Sequence, residues 1–209
     1  ETPKRELTPE EKLKPCKNLL KLAVDKIASL DSAILEQRKR GERQRAEIAE
    51  LEGNQTEQQE LAELARDEIT DLQNPFQKAA VKLNAKILVA MGIQDSNALS
   101  RMPNMPEQKI VELSQQQVDA EVKKVSYLVN GMSERLVNAS ETLDPKAEGA
   151  EEVLAEIRAR LADINDKSET LTALYITNST QKLERDSKAK FVGDLQELND
   201  TLVGKEALM

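Results

Sequence analysis

An apolar residue recurs every seven positions along the first quarter of this chain. Leu13, Leu20, Ile27, Ile34 and Ile48 occupy one position of the heptad. Cys16, Ala23, Leu30 and Leu51 occupy the position three residues further on. Such a repeat draws a narrow apolar seam along a helix, and the seam must be covered by another helix. It constrains the architecture closely and leaves the activity open.

Composition agrees with long helices. Aromatic residues make up 2% of the 209 residues, Trp is absent, and charged residues reach 33%. A globular core of this length would normally use aromatic side chains to fill volume. A chain rich in Ala, Leu, Glu, Gln and Lys reads instead as extended helix.

Charge and residue usage disfavour several function classes. The net charge of −8 and pI near 4.9 oppose general nucleic-acid binding, which needs basic surface to displace counterions. They also oppose docking on an anionic membrane. The chain has no His, which removes Ser-His-Asp and Cys-His catalysis and the Glu-x-x-His di-iron sites of helical bundles. A single Cys excludes internal disulfides and thiolate zinc clusters. No catalytic, cofactor-binding or metal-binding residues are expected.

The densest apolar run, Ile87 to Ile93, is far shorter than the roughly 20 residues a membrane span needs. No signal peptide or lipidation motif is visible. A start at Glu1 rather than Met reads as a processed or trimmed form.

The pattern predicts an all-α fold of two long antiparallel helical hairpins. They would form an elongated four-helix bundle or coiled coil with an extra C-terminal helical stretch. Residues 1–7 read as disordered. The first hairpin spans 8–92. Thr8-Pro9-Glu10-Glu11 caps a short leading turn, Pro15 separates it from a main helix expected over about 14–52, a turn at Gly53-Asn54 reverses the chain, and Asn74-Pro75 kinks the second arm. A loop at 93–105 leads to the second hairpin, 106–187. Its third long helix starts near Pro106 and breaks at Asp144-Pro145. The fourth starts near Gly149, with a bend at Thr177–Thr180. Residues 188–209 form the C-terminal extension.

Reversal at 53–56 would bring the basic cluster Arg38, Lys39, Arg40, Arg43 and Arg45 onto Asp67, Glu68 and Asp71, with Glu60 and Glu63 just beyond. Internal pairing is therefore preferred to an external ligand for that cluster.

Several residues stand out as candidate partner contacts. Gln37, Gly41 and Gln44 interrupt the apolar seam, and polar seam residues commonly set register or partner choice. Met91, Ile93, Met102 and Met105 cluster around the loop, and Met is adaptable at protein surfaces. Cys16, at a seam position, reads as a small buried hydrophobe. Asn54, Asn138, Asn178 and Asn199 each open an Asn-x-Ser/Thr sequon, the acceptor for N-glycosylation in a secreted protein.

These features point to a non-enzymatic helical interaction or structural protein, acting as spacer, tether or assembly factor through protein–protein contacts. A second copy of the chain is among the partners considered. The alternative is a secreted or surface helical-hairpin protein such as a pathogen effector, translocator, adhesin or receptor ectodomain. A secreted, periplasmic or surface location is slightly favoured over the cytoplasm. Membrane contact, if made, would use the apolar stretch 75–92.

Overall fold

A computed structural model describes residues 8–80 and 101–207, and it is all-α among those residues. Four helices are described: α1 (Pro9–Ala80), α2 (Gln115–Val129), α3 (Met132–Thr142) and α4 (Ala150–Glu206). They form a bundle in which the long helices pack against one another, as the heptad pattern requires.

Helix α1 begins at Pro9 rather than near Lys14, and the cap marked in the sequence opens the long helix itself. Thr8 N donates to Glu11 Oε2 at 2.9 Å, and Glu11 N donates to Thr8 Oγ1 at 3.3 Å. This reciprocal capping satisfies two otherwise orphaned N–H groups. Pro15 lies inside the helix, so no separate leading turn precedes it.

The expected reversal at Gly53-Asn54 does not occur, because α1 continues through it as one 72-residue helix. The seam explains why. Ile48, Leu51, Gln55, Gln58, Ala62, Ala65 and Ile69 continue the alternating three- and four-residue spacing without a slip, and each is buried or half-buried. Gly53 and Asn54 fall on the exposed outer face. A helix tolerates an exposed Gly at a cost of about 1 kcal/mol, which continued packing outweighs. The interruption expected at Asn74-Pro75 also lies within α1. The expected helix end at Gly92 lies outside the described residues.

Helix α2 starts at Gln115 rather than near Pro106. Ser114 caps it, with Ser114 N donating to Gln117 Oε1 at 2.8 Å and Gln117 N donating to Ser114 Oγ at 3.4 Å. A break between α2 and α3 was not anticipated. Asn130 (φ 51°) and Gly131 (φ 65°) both adopt the left-handed conformation, which Gly and Asn tolerate best. The break at Asp144-Pro145 is present, and Lys146 N donates to Asp144 Oδ1 at 3.0 Å within it. Helix α4 then runs without interruption through 177–180 and into the expected C-terminal extension.

The chain divides into two compact units. The first contains α1 up to Gln44 and residues Glu112–Gln181. Its core joins Leu13, Leu20, Ala23, Leu30, Leu136 and Ile164 with their neighbours. Here α1 and α4 run parallel. Cross-contacts Asp31–Lys167 and Gln37–Asn178 have nearly constant sequence separations of 136 and 141. Helices α2 and α3 run antiparallel to α4: the separation shrinks from 58 at Glu121–Ser179 to 32 at Ser133–Asn165. Helices α2 and α3 thus run back along α4 in this unit, while α1 does not fold back.

The second unit contains Arg45–Val111 and residues from Lys182 onward. Its core comprises Ala62, Ile69, Phe191, Leu195, Leu198 and Leu202. Within it α1 and α4 are again parallel, with separations of 138 at Glu47–Arg185 and 141 at Gln58–Asn199. Residues 101–111 of this unit form neither helix nor strand and contact both helices. Arg66 Nη1 donates to Pro103 O at 2.9 Å, Ser187 Oγ donates to Lys109 O at 2.9 Å, and Lys205 Nζ reaches Arg101 O. Eight extended residues cover roughly 27 Å, as do eighteen helical ones. That match lets 101–109 track α4 from residue 205 back to 187. Pro103 and Pro106 bring no N–H to this segment, and helix side chains satisfy several of its carbonyls.

Candidate functional site

The clearest concentration of polar side chains in the first unit is a layer inside its core. Gln37, Gln44 and Asn178 are buried, with relative exposures of 6%, 4% and 4%. The seam of α1 runs out of apolar residues here. Asn178 Nδ2 donates to both Gln37 O at 2.8 Å and Gln37 Oε1 at 2.9 Å. Gly41 allows this approach: a Cβ there would lie 2.7 Å from Asn178 Oδ1. The glycine is therefore a close-contact residue between parallel helices. Among the described residues, Gln44 Oε1 and Gln181 Oε1 have no hydrogen-bond partner.

The layer extends across α4 to α2. Ser179 Oγ donates to Glu121 Oε1 at 2.9 Å, and Glu121 Oε2 accepts from Lys124 Nζ at 2.6 Å. Lys124 Nζ in turn stands 5.6 Å from the centre of the Tyr175 ring. Glu121 is buried, and these two donors compensate its carboxylate for lost water.

The second unit repeats the same rung. Asn199 Nδ2 donates to Gln58 O at 3.1 Å and to Gln58 Oε1 at 2.7 Å. Asn199 follows Asn178, and Gln58 follows Gln37, by three heptads. A buried Asn–Gln rung rewards one helix register and penalises others, because a slipped register leaves amides unpaired.

Seam positions of α4 also carry cations. Lys167 bonds Asp31 at 2.6 Å and meets Asp163 at 3.5 Å. Its pKa is raised above the ordinary 10.5, first by the hydrogen bond to Asp31, against an opposing effect of burial. Arg185 contacts Asp186 and Glu47, which raise its pKa in that order. Lys188 contacts Glu52 at 3.1 Å. Their stems cover the seam while their charged ends reach acids at its edge.

The sequence candidates are distributed as follows. Gln37, Gly41 and Gln44 come together in the buried layer rather than on the surface. Met102 and Met105 are half-buried against the core of the second unit. Met91 and Ile93 lie outside the described residues. Cys16 is free and buried in the first core. Asn54 and Asn138 are exposed on helices. Asn178 and Asn199 each donate two bonds from the amide nitrogen to Gln37 or Gln58, and a glycan there would leave one N–H and so remove at least one of the two.

The expected pairing of Arg38–Arg45 with Asp67–Asp71 within one molecule is absent, since α1 does not fold back. All five basic residues are exposed, and among the described residues none makes an ion pair or side-chain hydrogen bond.

An open groove of about 500 Å³ between α2 and α4 in the first unit was not foreseen. Its lining is mixed: Val122, Val125, Val129, Ala173 and Ile176 alternate with Ser126, Ser133, Asn165, Ser168, Glu169 and Thr172. The signal was a pair of apolar stripes on α2, Val118 with Val125 and Val122 with Val129, of which Val122 stays 41% exposed. Among the described residues no group of three or more Cys, Asp or Glu could hold a metal ion, and no helix is long and apolar enough to cross a membrane. Compared with known proteins, the chain matches no family model, no curated protein and no solved structure.

Proposed function

We propose that this is a non-enzymatic helical interaction protein, acting as a spacer, tether or assembly factor through protein–protein contacts. The observation that carries this reading is how the buried polar side chains are used. Asn178 with Gln37, Asn199 with Gln58, and Ser179 with Glu121 each join one helix to another. Polar groups in a catalytic site would converge on a cleft and leave a position for a reacting atom. These are spent on helix register.

What remains for recognition is the outer surface. Tyr127 is 82% exposed and Leu64 61% exposed. Large exposed side chains of this kind suit protein contact, where Tyr brings area at low entropic cost.

The test compares wild type with Tyr127→Glu and Leu64→Glu as baits in extracts of the native source. Loss of specific partners in either variant, with helicity and unfolding midpoint unchanged, supports the reading. Identical partner sets for all three proteins contradict these surfaces, and substrate turnover by the purified chain contradicts the non-enzymatic reading.

A further inference from the structure

Helix α1 carries two exposed runs of opposite charge on its solvent side. The basic run is Arg38, Lys39, Arg40, Arg43 and Arg45. The acidic run is Glu57, Glu60, Glu63, Asp67, Glu68 and Asp71. Every one of these residues is exposed, and among the described residues none is in an ion pair. Elsewhere in the protein, acids of α1 do find partners: Asp31, Glu47 and Glu52 are bound by cations of α4. The fold thus leaves both runs without ion partners among the described residues, and along α1 they concentrate opposite signs about 20 residues apart.

Their spacing is matched. Lys39 and Arg43 are four residues apart, as are Glu63 and Asp67, so each pair projects from one side of the helix. All four positions lie away from the buried seam. We infer that the acidic run of one copy docks on the basic run of a second copy, with the two α1 helices antiparallel. Lys39 meets Asp67 and Arg43 meets Glu63, and a two-fold axis makes each pair twice. The axis falls at Gly53, which stands on the solvent side with no atom within 4 Å of where a Cβ would be. A helix can approach closely there.

A polyanion fits the basic run less well. Glu36, Glu42 and Glu47 are interspersed with the cations, and the chain as a whole is negative. An oppositely patterned helix tolerates interspersed charge, whereas a uniform phosphate backbone does not.

Exposed ion pairs are individually weak and screened by salt, so the dimer is expected to be reversible and salt-sensitive. It concerns the purified chain alone and does not depend on any other partner being found. Sedimentation equilibrium of the full chain should show dimer at about 0.05 M salt and weaken at least about tenfold by about 0.5 M.

Two variants complete the test. Lys39→Glu/Arg43→Glu and Glu63→Lys/Asp67→Lys should each be monomeric when alone, with helicity unchanged. Mixed, they should form a heterodimer, because both reversed runs again face opposite charge. A monomer at all salt concentrations overturns the inference. So does a dimer indifferent to both reversals, or a pair of monomeric variants that fails to associate on mixing. Binding of heparin by a wild-type chain that stays monomeric at low salt would assign the basic run to polyanions instead.

Discussion

Gly41 and Gly53 lie on the same helix and should respond oppositely to substitution. At Gly41 a Cβ would meet Asn178 Oδ1 at 2.7 Å, and Asn178 is held by two bonds to Gln37. Gly41→Ala gains about 1 kcal/mol of helix propensity but forces that amide to move, and overpacking of this kind costs about 1–3 kcal/mol. The net expectation is a lower urea midpoint. Adding Asn178→Ala should make the combined loss smaller than the sum of the two single losses. Gly53→Ala meets nothing and should stabilise the fold by about 0.5–1 kcal/mol, read as a higher urea midpoint. At Lys167, the raised pKa means that the folded state holds the proton more tightly than the unfolded one. Its contribution is full below pH 10.5 and is lost as pH rises through the folded-state value. The stability advantage of wild type over Lys167→Met should therefore be constant from pH 7 to 9 and shrink in the alkaline range, read by denaturant unfolding at each pH.

At the scale of helices, the seam of α1 was readable from Leu13 to Leu51 because apolar residues mark it on both sides of the lapse at Gln37, Gly41 and Gln44. Beyond that point it passes through Gln55 and Gln58, and polarity obscured it. The useful signal was register: Ile48, Gln55, Ala62 and Ile69 keep the seven-residue step, whereas a chain reversal would have reset it. Gly-Asn is a strong turn signal only where packing does not oppose it. The cap of α1 and the break at Asp144-Pro145 were legible because their signals are local. The Asn130-Gly131 break was masked by an apolar period that continues across it. Gly131 has a φ of 65°, so Gly131→Ala should cost about 1–2 kcal/mol, while Ser114→Ala, which removes the cap of α2, should cost about 1 kcal/mol. Thermal unfolding of both variants checks these values.

For the whole molecule, the all-helical class was legible, and the chain direction of its long helices was not. Breaks at Gly53-Asn54 and Asp144-Pro145 suggested two hairpins, but a local turn signal alone does not distinguish an antiparallel arm from a parallel helix reached by a return connection. The return segment at 101–111 has no periodicity of its own to announce it; its Met and Pro residues read as a loop. The same error hid the charge runs, because a fold-back would have neutralised Arg38–Arg45 against Asp67–Asp71. Whether α1 reverses at 53–56 is thus the point on which the core, the Asn–Gln rungs and the proposed self-docking all depend. It can be measured with spin labels at Ala46→Cys and Glu63→Cys, in a Cys16→Ala background, by double electron–electron resonance. A continuous helix places those Cα atoms about 25 Å apart. A reversal at 53–56 would bring them to about 10 Å. A distribution centred near the longer distance is the expected result, and one centred near the shorter would contradict the parallel pairing of α1 with α4.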